Sequence, residues 1–107
     1  MKNDNTYFIA YQYSAGIIKK YYPPQAYPFG WKGIEFFVHR VIDGVEKEKP
    51  LYSTRFWQVS EKTTGTSLVI KNATTIEDAK GQAVEKLGKV GIDKVKEEIS
   101  KVKGELK

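Results

Sequence analysis

His39 is the single histidine in 107 residues, and it is the first place to look for acid–base chemistry. A general base needs an oriented partner, and the common zinc sites need further histidines or cysteines. The chain has no cysteine, which removes thiolate nucleophiles, disulfides, Cys-ligated zinc and iron–sulfur centres. Glu35 shares a strand face with His39, but four strand residues span about 13 Å, so the two form no dyad. The expectation is a surface histidine on a sheet. Ser53, Ser60, Thr66 and Ser67 have no histidine at a spacing that predicts contact. Gly81, Gly88, Gly91 and Gly104 fall inside or between helical stretches, and none opens a helix in the manner of a phosphate-binding loop. The chain is therefore read as non-catalytic, with no catalytic, metal or cofactor-binding residue. A small enzyme with a carboxylate site assembled in three dimensions ranks last.

The aromatic residues carry more information: seven Tyr, five Phe and two Trp. Tyr22, Tyr27, Phe29 and Trp31 cluster in the stretch Tyr22 to Trp31, which also holds Pro23, Pro24 and Pro28. Prolines oppose ladder pairing, so the stretch is expected to be a loop, aromatic where most loops are polar. It either presents its rings to a partner or plugs the sheet edge with Phe29 and Trp31. Phe37 completes a candidate protein-binding set of Tyr22, Tyr27, Phe29, Trp31 and Phe37, since Tyr and Trp dominate binding energy at interfaces. A second reading gives the sheet to nucleic acid, with Lys32, Arg40 and Arg55 on phosphates and Tyr52, Trp57 or Phe37 stacking on bases. Against both stands a plainer possibility, that the N-terminal strand or a loop folds over this face.

The charge pattern favours the protein partner. Net charge is +5, with seven basic and five acidic residues in 1–50 and eleven and eight in 51–107. Neither half is a basic block, and the C-terminal lysines alternate with acids as on a solvated helix face. No apolar run reaches the length of a membrane span, and the polar start Met1 to Asn5 lacks the form of a secretion signal, so a cytoplasmic protein is expected.

These residues must be positioned by a small number of elements. Thr6 to Ser14 alternates aromatic and β-branched residues as a strand, with Tyr7, Ile9, Tyr11 and Tyr13 on one face. Ile17 to Tyr22 reads as a short strand. Gly33 to Ile42 is the clearest strand, with Ile34, Phe36, Val38 and Ile42 opposite Glu35, Phe37, His39 and Val41. Asp43-Gly44 is the strongest turn signal, and Val45 to Pro50 a charged excursion beside it. Leu51 to Ser60 and Thr66 to Lys71 follow as strands. Thr74 or Thr75 then begins a capping pattern. The apolar series Ile76, Ala79, Ala83, Leu87 and Val90 has helical spacing, and shifts phase to Ile92, Val95, Ile99, Val102 and Leu106. Gly91 sits at the shift, which predicts two helices, 76–90 and 92–104. The second stripe has heptad spacing too short for a coiled coil. Packing on the domain's own sheet is its expected use, with a homodimer through 92–106 as the alternative. The fold class is α+β: one domain over 1–107, an antiparallel sheet of about four to five strands, then two amphipathic helices on one sheet face.

Overall fold

The computed structural model describes residues 2–12, 16 and 18–105. Met1, Tyr13, Ser14, Ile17 and Leu106, which enter the expectations above, lie outside the described residues. The strands are β1 (Ile9–Gln12), β2 (Ile18–Tyr21), β3 (Tyr27–Trp31), β4 (Ile34–Glu46) and β5 (Lys49–Glu61), and the helices α1 (Ile76–Val90) and α2 (Ile92–Glu105). All pairings are antiparallel. β1 and β2 form a two-stranded sheet, and β3, β4 and β5 lie side by side in that order. The α+β class, with its helices on one sheet face, is thus the architecture of the chain.

Both faces of the three-stranded sheet are used. On one, Phe36, Val38, Trp57 and Val59 pack with Ala79, Ala83 and Leu87 of α1 and Val95 of α2. The two alanines have no exposed surface, and their small side chains let the helix approach these bulky residues closely. On the other, Phe37 packs with Ile9 of β1 and Ala26, flanked by Tyr7, Ile42 and Tyr52. The N-terminal segment therefore covers the second face.

The helices begin and end where their chemistry places them. The Thr75 hydroxyl accepts from the Asp78 amide (3.0 Å), supplying one of the acceptors that a helix start lacks. Gly91 closes α1 at φ +90°, its amide donating to the Leu87 carbonyl. That conformation suits a residue with no Cβ, and it reorients the chain so that α2 turns its own stripe inward.

Three expectations are corrected. First, residues 27–31 are a strand, not part of a loop. Tyr27 pairs with Val38, Pro28 with Phe37 and Trp31 with Ile34. Among the described residues β3 pairs on one side only, and an edge strand is where a missing amide is tolerated. Lys32 and Gly33 close the hairpin with positive φ, 47° and 82°.

Second, Asp43-Gly44 is not the turn of the β4–β5 hairpin. Gly44 pairs with Leu51 inside the ladder, and the turn is Lys47–Glu48, both with positive φ. Register shifts fall between Arg40 and Ile42 and between Ile42 and Gly44, so Asp43 is an extra residue in a β-bulge. Opposite the first shift, the Ser53 hydroxyl accepts from the amides of Arg55 (3.1 Å) and Phe56 (2.9 Å) and folds a local turn. The shifts carry Ile42 away from the helix-side cluster to the one around Phe37.

Third, residues 66–71 form no strand. The segment touches β5 through isolated bridges, Ser67 to Ser60 and Ala73 to Trp57. Five residues lie between the bridges on one side and two on the other, so the middle bows outward and leaves Val69 79 % exposed. Helix α1 satisfies part of the freed backbone: Lys86 Nζ donates to the Val69 carbonyl (2.6 Å), and the Lys71 amide donates to Gln82 Oε1 (2.8 Å). Among the described residues no helix is long and apolar enough to cross a membrane.

Candidate functional site

Residues at i, i+2 and i+4 of a strand share one face. Strand β3 therefore aligns Tyr27, Phe29 and Trp31, and all three pack as half-buried side chains against the edge of the helix-side core. Tyr27 meets Trp57 edge-on, with centroids 5.7 Å apart, and Phe29 stacks on Phe36 at 5.7 Å. Cations border the stripe. Lys32 lies 5.2 Å from the Trp31 ring, Lys80 of α1 lies 5.7 Å from Phe29, and the Arg40 guanidinium lies 3.7 Å over Trp57. Among the described residues none of these three cations has a carboxylate partner; the lysines that do are Lys19, Lys62, Lys89 and Lys94. Val84, one turn beyond Lys80 on the same side of α1, is 40 % exposed.

The sequence-derived candidates separate here. Tyr27, Phe29 and Trp31 come together. Tyr22 is 47 % exposed but lies apart, against Phe8 (6.3 Å), after the two-stranded sheet. Phe37 has no exposed surface and packs at a tilt between Tyr7 and His39 on the opposite face. Of the nucleic-acid set, Trp57 is 7 % exposed with Arg40 on its ring, Arg55 sits by Phe56 near the Ser53 turn, and Lys32 stands at the β3–β4 turn. Tyr52 is half-buried with its hydroxyl enclosed and unpartnered among the described residues; burial first, then the neighbouring Tyr21, pushes its pKa up to about 12. Lys80 joins the stripe only because α1, packed on β4 and β5, brings it to Phe29, and no spacing in the sequence announces that.

No family model, curated protein or solved structure matches the chain.

His39 departs from expectation. It is fully buried, between Phe37 and the interior of the sheet, not on the surface. Nδ1 lies 2.8 Å from the Arg40 carbonyl, which can only accept, so the ring proton is on Nδ1. Nε2 is then an acceptor, and the Ser60 hydroxyl donates to it at 2.7 Å. Ser60 in turn accepts from Ser67 at 2.8 Å. Burial disfavours the imidazolium and lowers the pKa to about 4, opposed in part by the bond to the Arg40 carbonyl. Ser60 is itself fully buried, and the pair satisfies polar groups inside the sheet. Among the described residues no three His, Asp or Glu side chains gather closely enough to hold a metal ion.

Proposed function

We propose that this protein is a non-catalytic interaction or regulatory module of the cytoplasm. It binds an acidic peptide segment with apolar anchors, laid over Tyr27, Phe29 and Trp31. The observation that carries this reading is the pairing of half-buried aromatics with unpaired cations: three rings in a row on an edge strand, bordered by Lys32, Lys80 and Arg40. Apolar anchors gain burial against the rings, while acidic residues on the partner meet cations that have no internal counter-charge. Nucleic-acid binding ranks second. Base stacking needs a free ring face, yet Phe29 stacks on Phe36 and Trp57 is covered by Arg40.

The test is a selection of displayed peptides against the immobilised chain, followed by anisotropy titrations with those enriched. The expected sequences combine Asp or Glu with aromatic or large aliphatic residues. Trp31→Ala and Lys80→Glu should each weaken them about tenfold or more while the circular dichroism spectrum is unchanged. Peptides that bind both variants as well as the wild type would refute the assignment.

A further inference from the structure

A second feature of the molecule lies behind the aromatic stripe and shares Phe36 with it. Between the sheet and the helices lies a cavity of about 230 Å³. Phe36 and Leu87, each almost without exposed surface, form its floor, and Leu68, Val90, Ile99 and Val102 form its walls. Thr64 and Thr66 before α1 and Val95 and Glu98 of α2 add to the lining. An engineered apolar cavity of about 150 Å³ admits benzene, so an apolar space of this size has room for an apolar guest.

The polar groups around the cavity decide what the guest carries. Lys86 donates its ammonium to the Val69 carbonyl at 2.6 Å. Glu98 is paired with Lys94 at 3.2 Å. The Glu61 carboxylate accepts from the amides of Thr63 and Thr64 and from the Thr63 hydroxyl. An anionic guest would therefore face the Glu61 and Glu98 carboxylates and gain a counter-ion only by drawing Lys86 off the Val69 carbonyl, while a cationic guest would have to displace Lys94 or the Thr63 and Thr64 donors. We infer that the cavity binds a small, neutral, apolar molecule: an aliphatic chain of roughly six to eight carbons or one substituted aromatic ring, sized against the benzene-holding cavity. Thr66, an exposed polar residue of the lining, is the place for a single hydroxyl or carbonyl on such a guest.

The experiment uses the full chain and two probes of equal length, 1-octanol and octanoate, each competing with the fluorophore N-phenyl-1-naphthylamine. The expected result is saturable 1:1 uptake of the fluorophore, displaced by octanol about tenfold or more better than by octanoate, because the carboxylate must be desolvated. Val102→Trp should fill the cavity and abolish uptake. Independently of whether that variant folds, octanol added to the isotope-labelled wild type should shift the methyl resonances of Leu68, Leu87, Ile99 and Val102 and leave those of Ile9 and Ile42 in place. Equal or better displacement by octanoate would overturn the neutral guest. Absence of uptake, or methyl shifts confined to the far side of the sheet, would overturn the site.

Discussion

Acidification should destabilise this protein through His39 in a way that can be followed at a single proton. The imidazole is neutral in the folded state, with a pKa lowered from 6.5 to about 4 by burial. The unfolded chain binds a proton near pH 6.5 and the folded chain does not, so between those two values the unfolded state holds more protons. Stability is therefore fully present above pH 6.5 and declines as the pH falls towards 4, below which this group adds no further change. The interval of roughly 2.5 pH units corresponds to about 3 kcal/mol, a large share of a small domain's stability. Urea unfolding of the wild type and of His39→Gln between pH 7.5 and 4 measures it. Carboxylates titrate in both proteins, so the relevant quantity is the difference, which should move by about 3 kcal/mol in favour of the variant as the pH falls. Because His39 is the only histidine, its ring C–H resonances report the folded-state titration directly. A midpoint at pH 6 or above in the folded protein would refute the burial argument.

Other outcomes follow from local geometry. Gly65→Ala should cost about 2 kcal/mol or more in urea unfolding, because a Cβ at φ +69° meets the Ala10 nitrogen at 2.7 Å and the Phe8 ring at 2.8 Å. Gly91→Ala should cost less, about 1 kcal/mol, since its φ of +90° is strained for an L residue but nothing lies within 4 Å; an increase in stability would mean the helix runs through this position. Tyr52→Phe should hold or raise stability by up to about 1 kcal/mol in the same assay, because the hydroxyl it removes is enclosed without a partner. Oligonucleotide binding, measured by anisotropy across a salt series, should reflect roughly two to four phosphate contacts and vanish near physiological salt. Submicromolar affinity that persists there and is removed by Arg55→Ala or Trp57→Ala would put nucleic-acid binding first.

The parts of the fold that were legible are those set by local chemistry. The Thr75 cap, the phase shift at Gly91 and the alternation in β1, β4 and β5 each depend on residues within a turn or a strand of one another. What was misread depends on position in the sheet. Tyr27, Phe29 and Trp31 alternate as a strand should, but Pro28 argues against one unless the strand is known to be an edge. Asp43-Gly44 is the better turn dipeptide, yet Lys47 and Glu48 take up positive φ, because the pairing of β4 with β5 sets where the hairpin closes. His39 could be placed inside only by knowing that Ser60, twenty-one residues away, supplies its hydrogen bond. For the candidate site, the aromatic half was visible as composition. The cationic half was not, because Lys80 reaches Phe29 from a different layer of the fold.

The proline in β3 has a consequence for how the molecule behaves in a crowd of its own copies. A bare strand margin is a template, and a second chain can extend it by backbone bonds with little regard to side chains. Here one margin of the sheet is occupied by residues 66–73 lying along β5, and the other carries Pro28, a ring where a donor would stand. Lateral growth is discouraged at these positions on both sides, and concentrated solutions of the chain are expected to resist fibre formation. A row of aromatic rings at an open margin would ordinarily be an aggregation hazard. With backbone templating suppressed, the same row can stay accessible and select its contacts by side chain.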